Sequence, residues 1–295
     1  MADLLTPRPA TRRRLRELLA ADEPVIAPGA YDALSARLVE AAGFAVVYMT
    51  GFGTTASLIG RPDVGLLTQT EMTDNAGRMA GAVGVPVVAD ADTGYGNPIN
   101  VVRTVAEYER AGVAGIHLED QVSPKRCGHL SGKEVVPAAD MVAKLRAAAA
   151  ARTDPDFVII ARTDAIATDG VPAAVERAHA YAEAGADALF VEAPRTEDEI
   201  EEVAAALAGT PLVFNLVPGG RTPPMPVPRL GELGFRLILY PVTTLLAATA
   251  AMRGVLGVLR AEGEPPEDDD DVSFDEFVEF IGLGEISELE RRFGS

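Results

Sequence analysis

The amino-acid sequence predicts an α/β chain closed into a (β/α)8 TIM barrel with a helical extension at its C-terminus. Three observations point there. Short, β-branched runs alternate eight times with helical stretches over about 250 residues, the usual length of such a barrel. Gly43, Gly112, Gly185 and Gly234 stand between a helix and the next strand, where a left-handed residue that ends a helix costs least. The strands also close on acids, an amide or an arginine, and in a barrel those residues ring one mouth. Helix–glycine–strand units of this length make consecutive strands parallel with right-handed crossovers. An open doubly wound sheet is the alternative. It needs fewer strands and usually a glycine fingerprint after the first, whereas the first run here ends Ala27-Pro28-Gly29-Ala30.

Taken in order, Thr11–Ala21 reads as an exposed, arginine-rich helix. The strands are expected at Val25–Pro28, Ala45–Met49, Val85–Ala89, Gly115–Leu118, Phe157–Ala161, Ala188–Val191, Leu212–Phe214 and Arg236–Leu239. Helices are expected between them at Tyr31–Ala42, Thr68–Ala82, Ile99–Ala111, Ala138–Arg152, Pro172–Ala184, Glu197–Leu207 and Val227–Leu233, with an eighth at Thr243–Arg260. Past Arg260 the composition changes. Glu262–Asp271 is a run of acids with Pro265 and Pro266, which repels itself and has nothing to bury, as a flexible linker does. Phe274, Phe277, Val278 and Ile281, then Ile286, Leu289 and Phe293, return to helical spacing. Such a tail needs the barrel or a neighbouring subunit to cover its apolar side. The expected division is therefore residues 1–261 for the barrel with its N-terminal helix, 262–272 for the linker and 273–295 for the C-terminal helix.

Composition bounds the function. The chain is 48% apolar and 24% charged, enough apolar content for a sizeable core. A net charge of -18 argues against nucleic acid and against an anionic membrane surface as partners. One cysteine, Cys127, excludes an intrachain disulfide and fits a reducing compartment. No apolar run reaches the roughly 18 residues of a membrane span, so no transmembrane helix is expected. Arg12, Arg13 and Arg14 are not followed by an apolar signal core. A cytoplasmic protein acting on a small molecule is expected.

The chemistry centres on Val85-Pro-Val-Val-Ala-Asp90-Ala-Asp92-Thr-Gly-Tyr-Gly96. On a strand, Asp90 and Asp92 would point the same way, and two like charges on one face repel unless a cation lies between them. Hard oxygen ligands with room for water suit Mg2+, with Mn2+ as the alternative. A solvated turn uses the same residue types, but the pattern recurs. Strand two runs into Thr50-Gly51, strand four ends Glu119-Asp120, strand five ends Arg162-Thr163-Asp164, strand six meets Glu192 and strand seven meets Asn215. After strand four, Lys125-Arg126-Cys127-Gly128-His129 places two cations and an imidazole around a thiol. Cations favour the thiolate, and a thiol/thiolate pair can act as general acid or base. A zinc site would lack its remaining ligands. Gly128 and Gly132 give the loop the freedom of a lid.

The joint pattern of Asp90-Ala-Asp92-Thr-Gly-Tyr-Gly96, Glu119-Asp120-Gln121 and Lys125-Arg126-Cys127-Gly128-His129 resembles the isocitrate lyase/phosphoenolpyruvate mutase superfamily. The resemblance extends from about Val25 to Phe293, including Ala30-Tyr-Asp-Ala-Leu-Ser35 and Ile160-Ala-Arg-Thr-Asp164. It is nearest to the branch of carboxyphosphonoenolpyruvate phosphonomutase, 2-methylisocitrate lyase and 2,3-dimethylmalate lyase. It implies a Mg2+-dependent barrel, a homotetramer with swapped C-terminal helices, and a small carboxylate substrate. The implied metal residues are Asp90 directly, with Asp92 and Glu119 through water. Thr50, Gly51, Phe52 and Arg162 are implied to cradle the carboxylate of a 2-oxo acid. Asp63 is implied to lie over that site, and Lys125, Cys127, Gly128 and His129 to form a gating loop. Glu192 and Asn215 are implied to line the far half of the pocket. The implied reaction is cleavage of a substituted 2-hydroxy di- or tricarboxylic acid to a 2-oxo acid such as pyruvate through an enolate. A phosphonomutase forming a carbon–phosphorus bond is the alternative.

Departures from the family narrow the substrate. Isocitrate lyases proper place serines after the strand-seven asparagine, where this chain has Leu216-Val217-Pro218-Gly219-Gly220. The 2-methylisocitrate lyases carry an arginine shortly after strand eight, and Tyr240–Leu246 supplies none. Phe52 stands where many lyases have a glycine. A third substrate carboxylate would lack its partner.

Overall fold

The structure, a computed structural model, describes residues 10–126, 128, 132–266 and 272–294. Eight parallel strands close in sequence order into a barrel, with the last paired to the first. They are β1 (Val25–Ala30), β2 (Val47–Met49), β3 (Val87–Asp90), β4 (Gly115–Glu119), β5 (Val158–Thr163), β6 (Ala188–Val191), β7 (Leu212–Asn215) and β8 (Phe235–Tyr240). The helices are α1 (Thr11–Ala20), α2 (Ala33–Ala41), α3 (Gly51–Ile59), α4 (Gln69–Ala82), α5 (Pro98–Ala111), α6 (Ala138–Ala151), α7 (Ile166–Asp169), α8 (Val171–Glu183), α9 (Glu197–Ala206), α10 (Val227–Glu232), α11 (Thr243–Glu262), α12 (Phe274–Phe280) and α13 (Leu283–Phe293). Every expected strand, and each of the eight expected barrel helices, lies within two residues of its expected bounds. The strands are buried on both faces, as parallel strands are when helices cover them.

The core has two shells. Tyr48, Val88, Ile160, Phe190 and Leu237 fill the barrel interior, while Met79, Tyr108, Met141, Leu145 and Tyr181 lie in the shell that includes the helix faces. Tyr48, His117 and Phe190, from alternate strands, form one aromatic layer inside the barrel. Tyr48 stacks on His117 and Phe190 meets it edge-on, each with centroids 5.8 Å apart.

Three expectations need correction. The N-terminal helix is not simply exposed, because Leu15 and Leu19 join the inner cluster. Its arginines hold the beginnings of strands. Arg12 Nε donates to the Val113 carbonyl ahead of β4, and Arg16 Nη2 donates to the Phe157 carbonyl ahead of β5 and pairs with Asp187 at 2.9 Å ahead of β6. Two short helices, α3 and α7, were not expected. The third concerns α11, which by length and composition alone could cross a bilayer, although Arg253 interrupts it.

The chain divides into two compact units inside α11, after Leu245. The second carries α12 and α13, separated by Ile281 and by Gly282 at φ 100°. None of α11, α12 and α13 has a buried residue. Of the expected linker, residues 267–271 lie outside those described.

Candidate active site

β3 stops at Asp90, and Asp92 lies beyond it in the left-handed region at φ 47°. The two carboxylates are thus not neighbours on one strand face, as expected. A tight turn brings them together, with the Asp92 N–H donating to Asp90 Oδ1 at 2.9 Å. The end of β4 fixes that turn, since the Glu119 N–H donates to the Asp92 carbonyl at 2.9 Å. On the opposite side Gly51 opens α3, with Thr50 as its cap and the Thr50 hydroxyl accepting from the Gly53 N–H. A side chain at Gly51 would overlap the Asp90 carboxylate, so only glycine lets the helix start come this close. Phe52 beside it is half-buried.

Lys125 sits inside this group. Its ammonium lies 2.5 Å from Asp63 Oδ2 and 2.9 Å from Asp92 Oδ1, with all three side chains almost wholly buried. Burial works against its charge, but Asp92, Asp90 and Asp63 outweigh it and hold the lysine pKa well above normal. Burial raises Asp92 to about 7 against the pull of Lys125. Burial also opposes charge on Asp90, yet His117, Lys125 and Arg162 keep its pKa below the ordinary carboxylate value. Beneath it, His117 Nε2 lies 2.8 Å from the Tyr48 hydroxyl and 3.6 Å from Asp90 Oδ1. Burial lowers His117 to about 4, so the imidazole is neutral.

Arg162, at the end of β5, holds Asp164 with two hydrogen bonds, Nε to Oδ2 at 3.0 Å and Nη2 to Oδ1 at 3.1 Å. The same Nε is 3.3 Å from Glu119 Oε2, but its hydrogen is spent on Asp164. Neither Glu119 oxygen has a hydrogen-bond partner among the described residues, although the residue is 1% exposed. Burial accordingly raises its pKa well above normal. Across the mouth, Asn215 Nδ2 lies 3.2 Å from the Glu192 carboxylate. A side chain at Gly128 would overlap both Glu192 and Arg162, so the loop backbone rests directly on that wall.

The mouth therefore gathers Thr50, Gly51, Phe52, Asp63, Asp90, Asp92, Glu119, Lys125, Gly128, Arg162, Glu192 and Asn215 at strand ends or on the segments that follow them. Cys127 and His129 lie outside the described residues. Sequence reading gave no role to a supporting layer behind them. Asp120, fully buried, accepts from the Thr163 hydroxyl, the Asp164 N–H, the Tyr181 hydroxyl and Arg177. Lys133 and Gln121 bond to the loop backbone. Their sign in the sequence was only that each flanks the loop.

The residues fit a hydrated divalent cation. Six buried acids (Asp63, Asp90, Asp92, Glu119, Asp164 and Glu192) face three buried cations (Lys125, Lys133 and Arg162), and buried charge without a partner is costly. Among the described residues no three His, Cys, Asp or Glu side chains close tightly enough to form a direct cage. The fit rests on the carboxylate oxygens themselves, the hard donors that Mg2+ takes together with several waters.

Residues 15–259 match the family described as phosphoenolpyruvate phosphomutase. The chain belongs to that family. It is 47% identical to 2,3-dimethylmalate lyase of Eubacterium barkeri over 286 residues, 97% of this chain and 99% of that one. A solved structure of oxaloacetate acetylhydrolase with 3,3-difluorooxalacetate matches with a TM-score of 0.93 at 42% identity, covering 98% of this chain and 99% of that one. A phosphonopyruvate hydrolase solved with oxalate and Mg2+ matches with a TM-score of 0.87 at 35% identity, over 97% of this chain and 100% of that one. Like these family members, the chain is an enzyme, and its barrel is the family's fold.

Proposed function

We propose that the enzyme is a Mg2+-dependent carbon–carbon lyase that cleaves a substituted 2-hydroxy diacid of the malate type to a 2-oxo acid and a second acid. The observation that carries this is Glu119, a buried carboxylate with no hydrogen-bond partner among the described residues, set beside Asp90, Asp92 and Arg162. The high identity to 2,3-dimethylmalate lyase over nearly the whole chain supports the substrate class. Asp90, Asp92 and Glu119 would hold the metal, with Mn2+ able to replace Mg2+. A bound divalent ion would supply electrostatic stabilisation for the negative charge on the substrate's deprotonated 2-oxygen and the neighbouring carboxylate.

The chain's own groups do the rest. Arg162, fixed by Asp164, orients the substrate carboxylate, and the N–H groups at the start of α3 add donors on the other side. A base takes the proton from the 2-hydroxyl and the bond between C2 and C3 breaks. C2 becomes the carbonyl of the oxo acid, and the electron pair leaves on C3 as an enolate-type anion. Cys127, placed on the loop by resemblance, returns a proton to that carbon. The stretch Tyr240–Leu246 carries no arginine, which favours a diacid over a tricarboxylate. We also propose that the enzyme works in the cytoplasm as a homotetramer.

The test is a substrate panel with Mg2+, following 2-oxo acids and phosphorus NMR together. A 3-alkyl-2-methylmalate should release pyruvate, EDTA should abolish the activity, and Mg2+ or Mn2+ should restore it. Cys127→Ser should lower turnover by a factor of about a hundred or more, in the range of a lost general acid, with the melting temperature unchanged. A phosphonate or phosphinate whose carbon–phosphorus signal changes, with no oxo acid from any hydroxy diacid, would instead establish the phosphonomutase reaction.

A further inference from the structure

Behind the mouth, two buried polar side chains make bonds that the reaction above does not use. Gln121 is 1% exposed and spends both amide atoms on a single residue. Its Oε1 accepts from the Arg126 N–H at 2.9 Å, and its Nε2 donates to the Arg126 carbonyl at 2.8 Å. Lys133, also buried, donates to the Gly128 carbonyl at 2.6 Å and to Asp164 Oδ1 at 2.7 Å. The ends of the loop are joined by a short antiparallel bridge, with Val122 N–H donating to the Glu134 carbonyl and Val136 N–H to the Asp120 carbonyl, both at 2.8 Å.

Neutralising Asp164 does not explain Lys133. Arg162 already grips that carboxylate with two hydrogen bonds, and burying a second ammonium is costly unless its donors are used. The informative bond is the one to Gly128, whose backbone rests on Glu192 and Arg162 with no room for a side chain. Asp164 therefore ties two things to one anchor: the guanidinium of Arg162 and, through Lys133, the loop backbone. The anchor is itself fixed, because Asp120 accepts its backbone N–H at 2.9 Å.

We infer that Gln121 and Lys133 are positioning residues that clamp the Arg126 and Gly128 backbone against the Arg162–Glu192 wall. Neither touches the reacting atoms, and the effect on turnover rests on the lyase reading above. A misplacement of about 1 Å in such a support can cost on the order of a hundredfold in rate.

Limited trypsin digestion of the full-length enzyme reads the clamp without substrate, through cleavage after the exposed Arg126. Gln121→Leu and Lys133→Met should each raise that cleavage rate tenfold or more while other sites keep their wild-type rates. With the cleaved substrate, both should lower kcat at least tenfold and change KM by less than threefold. Lys133→Arg, which keeps the charge and several donors, should stay within threefold of wild type in both assays. Unchanged cleavage after Arg126 in either variant, if folded, overturns the inference. So does a Lys133→Arg enzyme no better than Lys133→Met, which would give the lysine a packing role. A wild-type chain inactive on every hydroxy diacid would remove the proposed reaction, yet the digestion would still decide the clamp.

Discussion

A carboxylate that is buried and accepts no hydrogen bond among the described residues is a liability in a fold and an asset in a metal site. Glu119 is such a group. Replacing it by the neutral isostere in Glu119→Gln should weaken Mn2+ binding tenfold or more, read by the EPR signal of free Mn2+. The metal-free variant should melt no lower than wild type, because burial already favours the neutral form of the metal-free Glu119 carboxyl. A clear fall in melting temperature would make Glu119 a structural partner of Arg162 instead. Asp92 gives a second expectation. With its pKa raised by burial to about 7, the metal-free group binds a proton below that pH, and a cation must displace it. Metal affinity should therefore rise with pH, at least about tenfold between pH 6 and 8, because the proton displaced at Asp92 is joined by the one that burial favours on Glu119. His117, held near 4 by burial, stays neutral over that range and does not add to the slope. Affinity constant from pH 6 to 8 would remove Asp92 from the site. At this scale the sequence showed which acids end which strands, since a barrel sends them all to one mouth. It did not show that Asp92 reaches Asp90 by a left-handed turn, nor that Gln121 and Lys133 spend their polar atoms on backbone, because backbone partners leave no mark in side-chain spacing.

Among the elements, α1 shows how charge can hide burial. Its arginines suggested a solvated helix, yet Leu15, Leu18 and Leu19 recur at helical spacing, and Leu15 and Leu19 are buried in the barrel's inner cluster. Leu15→Ala should destabilise the enzyme by about 2–5 kcal/mol, the cost of a large-to-small change in a packed core, while leaving Mn2+ affinity unchanged. A loss below about 1 kcal/mol would mean the helix merely lies against the barrel. The alternating strands and helices were legible because glycine punctuation and β-branched runs agree with one another. The helix α3 was not, since Gly51-Phe52-Gly53-Thr54-Thr55 is poor in helix formers. It is held at its ends, by the Thr50 cap and by Gly60 at φ 62°, and its glycine start is what the Asp90 carboxylate requires.

For the molecule as a whole, the outlying fact is α11, a 20-residue apolar helix with no buried residue in the single chain. Leu246, Met252, Val255, Leu256 and Leu259 are each at least 41% exposed along it. Burying such side chains is worth about 1.5–3 kcal/mol apiece, so leaving them in water forgoes an amount comparable to a whole domain's stability. A helix without a packed face also has little stability of its own. Two environments could cover it. A bilayer would have to accept Arg253 near the middle, at a cost of about 2.5–3.5 kcal/mol, and the net charge of -18 opposes an anionic surface. A second copy of the chain carries neither penalty and offers an exchanged helix in return. We therefore expect sedimentation to give a species of four times the 30.9 kDa chain. The double variant Met252→Glu, Leu256→Glu should break it into smaller species with a lower melting temperature, because two charges would then sit in the contact. A wild-type chain that sediments as a stable monomer would leave α11 uncovered and defeat this reading, whereas recovery in the membrane fraction would point to the bilayer.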